Sequence, residues 1–309
     1  MKYPIKQEFG LYAHFHPPVC GALLPLINVA LALLPKKKQS GITESKLHIL
    51  SEAGGRISAL LLTPDGVGDN APCLVYFHGG GFVMEAAPSH YALMAEYAVG
   101  ARCKVLFVRY RLAPKHAFPV PMQDCFSAYQ WVRQNADALG VNPARIAVGG
   151  DSAGGCLAAA ICLMAQDKGV PLPSFQMLIY PVLDRRMQTA SMQRFTDTPM
   201  WNMRLNEKMW QWYLPEQTTL DIAYASPAEA ATLAGLPDTY LETAEFDCLR
   251  DEGVAYANAL QSVGCTVEWN DTSGTMHGFD GVLNSPTVRA CVKRRVGALQ
   301  RAFDSPVQP

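Results

Sequence analysis

No two of the nine cysteines in these 309 residues stand in a C-x-x-C spacing. Their odd number and their places in apolar segments argue against a disulfide framework and against a zinc site. They fit buried, reduced thiols, so a cytoplasmic setting is the expectation. Charge is scarce as well: Asp, Glu, Lys and Arg make up 17% of the chain and the formal net charge is −1. That balance gives no general pull toward nucleic acid or anionic membranes. A G-x-x-x-x-G-K-[ST] loop is missing, since Cys156 rather than lysine follows Gly155, and no G-x-G-x-x-G with a downstream acidic partner occurs. A nucleotide site is therefore not expected. Repeats with a period of about 20 to 50 residues are absent, and so are low-complexity tracts. An uninterrupted apolar stretch long enough to span a bilayer is lacking too. The nearest candidate, VCGALLPLINVALALLP at residues 19–35, is short and broken by Pro25 and Asn28. Lys36, Lys37 and Lys38 follow this run rather than precede it, opposite to a secretory signal. A helix packed over the main domain is the expectation. Membrane contact is not, with a surface or lipid-substrate contact as the lesser alternative.

What the chain does have is apolar content, 49%, enough for a sizeable core. From about residue 46 the pattern becomes regular. KLHIL and ISALLLTP read as a strand pair, and CLVYFHGGG and KVLFVRY as buried strands. A helix is expected over Pro121 to Asp137, then a strand at RIAVGG and a helix at AGGCLAAAICLMAQDKG. FQMLIYP and TYLETAEFD follow as strands, DEGVAYANALQSVG as a helix, CTVEWND as a strand and TVRACVKRRVGALQRAF as a closing helix. Strands alternating with helices predict a mostly parallel α/β sheet joined by crossovers. Residues 184–226 interrupt the alternation with Met187, Met192, Met200, Met203, Met209, Trp201, Trp210, Trp212 and Tyr213. Such residues serve either as ordinary core or, with the N-terminal segment, as a lid over an apolar pocket.

VGGDSAGG, at residues 148–155, places Ser152 between glycines after one apolar run and before a helix-forming one. In a strand–turn–helix setting, G-x-S-x-G lifts a serine hydroxyl on a strained turn, and the glycines keep neighbours from colliding there. FHGGGF, ending a buried strand, supplies the second element. Acyl transfer puts negative charge on a carbonyl oxygen, and the N–H groups of Gly80, Gly81 and Ala153 would be aimed at it as an oxyanion hole. His78 and Gly79 shape that loop, His78 by hydrogen bonding rather than as a base, and Asp151 serves the hydrogen bonding of the serine turn. The weak hydroxyl needs a base, and the base an orienting carboxylate. In the order nucleophile, acid, histidine, only His277 follows Ser152. For the acid, Asp247 directly follows an apolar strand and is preferred, while Asp251 is its main rival. Asp251 and Glu252 read as first-turn residues of the next helix.

These pieces together, HGGGF, YRLAPKHAFPVPMQD, GGDSAGG, YPVLD, AEFDCLRDEG and MHGF, appear in the order found in the hormone-sensitive lipase family of α/β hydrolases, which the chain resembles over roughly residues 73–280. The resemblance implies an α/β-hydrolase fold with an eight-stranded core and a helical cap. It also implies a catalytic triad of Ser152, Asp247 and His277, with the oxyanion hole at Gly80, Gly81 and Ala153. Departures are Lys115 where the family usually has glutamate, Ala117 where proline is frequent, and Cys248 after the acid. The resulting division is a cap segment at 1–45 and a catalytic domain at 46–309 with a cap insertion at about 184–226. The expected activity is that of a serine carboxylesterase acting on short- to medium-chain acyl esters through an acyl-enzyme, with a small-molecule ester as partner. No metal and no organic cofactor is expected, and a homodimer is left open. An amidase or deacetylase using the same residues, and a small-molecule receptor of the same fold, are the alternatives.

Overall fold

Apolar runs bounded by turn residues become strands, and the amphipathic stretches between them become crossovers. In a computed structural model, which describes residues 2–17, 21–36, 39–216, 218 and 220–305, eight strands form one sheet. They are β1 (Ile42–Leu50), β2 (Arg56–Pro64), β3 (Ala71–Phe77), β4 (Lys104–Arg109), β5 (Val141–Asp151), β6 (Gln176–Ile179), β7 (Thr239–Phe246) and β8 (Val267–Met276). Their spatial order is β1-β2-β4-β3-β5-β6-β7-β8. β2 runs antiparallel to both β1 and β4, and every pair from β4 to β8 is parallel. The helices are α1 (Leu24–Leu33), α2 (Pro88–Ala101), α3 (Val120–Gln134), α4 (Ala136–Leu139), α5 (Ala153–Asp167), α6 (Ala190–Arg194), α7 (Met203–Tyr213), α8 (Arg250–Ser262) and α9 (Pro286–Asp304). The architecture is the expected α/β-hydrolase fold.

The core sits where the sequence is most apolar. Cys73 to Phe77 in β3 and Val105 to Val108 in β4 are fully buried, as strands covered on both faces must be. Every residue of α5 from Ala153 to Ala165 is buried. A helix that is apolar all round belongs inside the fold, and burying each Leu, Ile or Met side chain stabilises it by roughly 1.5–3 kcal/mol.

Parallel strands deliver their following residues to one edge. β3 ends at Phe77, β5 at Asp151, β7 at Phe246 and β8 at Met276, so His78, Ser152, Asp247 and His277 each leave the sheet at its carboxyl-terminal edge. Crevices outside that edge are where open α/β sheets bind ligands. Over it lie residues before β1 and residues between β6 and β7. Tyr12, Phe15, Leu31, Met200 and Trp201 line the same cavity as Ser152.

Several places depart from the sequence expectation. α2 had no counterpart in it. Leu93, Met94, Ala95, Tyr97 and Ala98 are all buried, because the helix lies against both the sheet and α9, and burial on two sides leaves no single apolar stripe to read. The helix expected over 121–137 is two: α3 ends at Gln134, Asn135 turns out of helical geometry (φ −109°, ψ 18°), and α4 resumes. β8 continues past the expected CTVEWND through Thr272 to Met276. At the sheet edge a strand keeps an open face and needs no continuous apolar run. Finally, α1 packs by one side only, with Leu24 as its one buried residue. Val19 and Cys20, at the start of that apolar run, lie outside the described residues.

Candidate active site

Ser152 is held at φ 55°, ψ −119°, a backbone region that residues with a side chain rarely occupy. The turn persists because its surroundings leave no alternative. Ser152 N–H donates to Ile179 O at 2.8 Å, and its carbonyl accepts from Val182 N–H at 3.1 Å and from Cys156 N–H at 3.2 Å. A Cβ on Gly154 would collide with the Phe77 carbonyl, so glycine is required for β3 and α5 to approach this closely. The hydroxyl thus sits at the amino end of a fifteen-residue helix, where the helix dipole favours negative charge.

His277 Nε2 lies 2.8 Å from Ser152 Oγ, and His277 Nδ1 donates to Asp247 Oδ2 at 2.7 Å. Asp247 is fully buried and accepts Leu249 N–H on its other oxygen at 3.0 Å. The rival carboxylate, Asp251, is elsewhere: it accepts Ser191 N–H at 2.7 Å and pairs with Arg250. Glu252 lies in the first turn of α8, as expected, and is buried there, accepting Leu183 N–H at 2.6 Å. Burial pushes its carboxyl well above the usual range, which makes it a structural tie between α8 and the chain after β6.

The glycine loop forms the opposite wall. Gly80 and Gly81 have φ values of 115° and 60°, and a Cβ on Gly81 would stand 2.6 Å from the Trp201 ring. The Gly80 carbonyl is taken by Val83 and Met84, while the Gly80 and Gly81 N–H groups donate to nothing among the described residues. Ala153, first in α5, has an N–H for which the helix supplies no acceptor. His78 is buried, stacks on Tyr110 with ring centroids 4.5 Å apart, and donates from Nδ1 to Gly79 O at 2.7 Å. Burial lowers its pKa to about 4, so the ring is neutral near pH 7. Asp151 lies beneath Gly79, bonded by Tyr76 Oη at 3.0 Å and by His90 Nε2 at 3.1 Å. Burial opposes its charge, but His90 and the Tyr76 hydroxyl outweigh that and hold the carboxyl at about 2.

Several functional positions escaped the sequence reading. Tyr180, after β6, sets its ring edge-on to His277 with centroids 4.8 Å apart, and its hydroxyl donates to Asp280 Oδ1 at 2.5 Å. Asp280 Oδ2 in turn accepts from Arg295 Nη1 at 2.8 Å, and the same fully buried guanidinium reaches Glu242 and Tyr97. This network fastens the Gly278–Gly281 turn behind His277 to α9, which makes Arg295 and Asp280 positioning residues. His90 also faces the cavity, whose volume is about 230 Å³.

Known proteins resemble this chain in sequence and in fold. A sequence model of the alpha/beta hydrolase fold matches residues 74–281. Carboxylesterase NlhH of Mycobacterium tuberculosis is 38% identical over 246 residues, 78% of this chain and 76% of that protein. The structure of a bacterial heroin esterase superposes with a TM-score of 0.89 at 36% identity, covering 99% of this chain and 100% of that one. Esterase LipW from Mycobacterium marinum superposes with a TM-score of 0.90 at 31% identity, covering 98% and 97%. The chain belongs to the α/β hydrolase family, in its hormone-sensitive lipase-like branch.

Proposed function

We propose that the chain is a serine carboxylesterase for esters with short to medium acyl chains, with Ser152 as nucleophile, His277 as general base and acid, and Asp247 as the orienting carboxylate. The observation that carries this reading is the continuous relay from Asp247 through His277 to Ser152 Oγ, with bonds of 2.7 and 2.8 Å. Ester hydrolysis is also what NlhH and the heroin esterase are named for.

His277 Nε2 takes the hydroxyl proton as Ser152 Oγ attacks the ester carbonyl, and Asp247 stabilises the imidazolium. The N–H groups of Gly80, Gly81 and Ala153 receive the oxyanion. His277 returns its proton to the departing alkoxide, which leaves as the alcohol, and the acyl group remains on Oγ. Water deprotonated by His277 then attacks the acyl-enzyme, releases the carboxylic acid and restores the hydroxyl. Residues 1–45 and 184–226 act as the cap, with Trp201 and Met200 lining the cavity. A cavity of about 230 Å³ suits a small acyl group better than a long one. The eight described cysteines are all free, which supports a reducing, cytoplasmic setting.

A p-nitrophenyl ester series from acetate to palmitate, run beside Ser152→Ala, tests the reading. The short and middle members should be preferred, and the variant should lose at least about 10⁴-fold in kcat while its circular dichroism and melting temperature stay unchanged. Preference for palmitate, or residual turnover by the variant near the wild-type rate, would overturn it.

A further inference from the structure

The apolar side chains that this fold leaves in water are not scattered. Among the described residues, seven of the eleven exposed large hydrophobic side chains lie in the first 34 residues, and of those seven Leu11, Leu33 and Leu26 are the most open at 88%, 78% and 68%. α1, LPLINVALAL, carries no charged side chain. Its inner side holds Leu24 in the core and Asn28, whose amide donates to Val83 O at 2.8 Å and accepts Glu85 N–H at 2.9 Å. Leu31 reaches the cavity that contains Ser152. Leu26, Val29 and Leu33 share the remaining side, which meets only solvent. A helix apolar on every side is either inside a core or in contact with lipid, and this one is not inside the core.

Charge identifies what covers that face. Residues 1–46 contain six lysines (2, 6, 36, 37, 38 and 46) against Glu8 and Glu44, a net +4, whereas the rest of the chain is −5. The lysine triplet follows α1 directly. Beside the helix runs a groove of about 510 Å³ whose wall includes Arg56, Arg109, Arg111 and Lys115. Arg109 is paired with Glu85 and Arg111 with Asp124. Arg56 and Lys115 have no carboxylate partner among the described residues, and Lys115 is the residue that stands where the resembling family usually has glutamate. A second copy of the chain meeting this face would bring two +4 segments together, so the charge disfavours a self-association interface.

We propose that the outer face of α1, with the lysines that follow it and the cationic groove beside it, docks on an anionic lipid surface. The helix lies in the headgroup layer with Leu26, Val29 and Leu33 against the acyl chains, and the cations meet phosphate. Among the described residues no helix is long and apolar enough to cross a membrane, so the contact is peripheral and reversible. Through Leu31 and Phe15, which line the cavity, the docked face adjoins the cavity mouth. The proposal is independent of which ester is cleaved.

Flotation of the full chain with vesicles tests it, using phosphatidylcholine alone and phosphatidylcholine with one third phosphatidylglycerol. Recovery should be at least about tenfold greater with the anionic vesicles, and K36Q/K37Q/K38Q should weaken that binding by about a hundredfold. L26S/V29S/L33S should weaken it at least about tenfold, with the far-UV circular dichroism of both variants unchanged. Equal recovery from both vesicles, or from neither, would overturn the proposal. So would a lipid-free dimer in gel filtration that the triple serine variant converts to a monomer.

Discussion

The floor and the outer wall of one cavity are built on opposite terms. On the floor, Ser152 and His277 are 4% and 6% exposed, and the polar atoms of the relay are paired. The backbone there is held in conformations that few residues tolerate. On the outer wall, α1 fixes itself with Leu24 and Asn28 and leaves the opposite side open. In the first region the identity of a residue is set by collisions and by donors that have one acceptor within reach. In the second only the chemical class of the residue is set. Substitutions should therefore cost most on the floor, less in the network behind it, and almost nothing on the crest.

The largest effect is expected from Asp247→Asn. The amide keeps the shape but presents a donor as readily as an acceptor, so His277 Nδ1–H loses the carboxylate that fixes its tautomer. kcat on a short p-nitrophenyl ester should fall by about 10⁴-fold, with KM and melting temperature little changed. A loss below tenfold would mean that Asp247 is not the orienting acid.

Next comes Arg295→Met, which removes the guanidinium and strands Glu242 and Asp280 in the core. Breaking a buried ion pair by deleting one partner costs about 3–5 kcal/mol, and urea unfolding should show it. The activity that survives should carry a lowered kcat with KM preserved, because the turn behind His277 loses its tie. Glu242→Gln added to Arg295→Met should recover part of the stability. A melting curve like that of the wild type would place the network outside the structural core.

Much of the floor was legible in the sequence because its chemistry tolerates few residue types. G-x-S-x-G, the triple glycine after a buried strand, and one histidine after the serine all survive in one dimension. Asp247 could be preferred over Asp251 because it follows an apolar strand directly. The network was harder, since Arg295 gives no motif. Its signal was periodic: Val288, Cys291, Val292, Ala298 and Leu299 are the buried stripe of α9, and Arg295 falls on it, a charge at an apolar spacing that only a buried partner can justify. α2 had no such signal, because burial on two sides erased its stripe. His90 was hidden with it, at the third position of that helix, where its ring reaches back to accept Ala87 N–H at 3.0 Å. The open side of α1 could not be read at all, since an apolar run looks the same whether a core or a lipid covers it.

A smaller effect is expected at acid pH. The Asp151 carboxyl is held at about 2 in the fold, below the unfolded value of about 3.9. A depressed carboxyl adds stability above its unfolded pKa and loses it as pH falls through the folded one. The difference in unfolding free energy between wild type and Asp151→Asn should thus shrink by about 2 kcal/mol as pH falls from about 5 to about 2. A difference that stays flat over that window would mean that the bonds from His90 and Tyr76 add nothing to the charged form.

The sharpest contrast lies within α1 itself. Leu24 is 2% exposed and Leu26 68% exposed, two residues apart on one helix and identical in chemistry. Leu24→Ala should destabilise the fold by about 2–4 kcal/mol, the cost of removing a buried leucine and leaving a cavity. Leu26→Ala should stay within about 0.5 kcal/mol of the wild type, since alanine also favours the helix. Chemical unfolding of the two variants decides the matter. If Leu26→Ala costs as much as Leu24→Ala, the crest is covered by protein in solution and the two walls do not differ after all. If it costs nothing, the side chain is there for something other than folding.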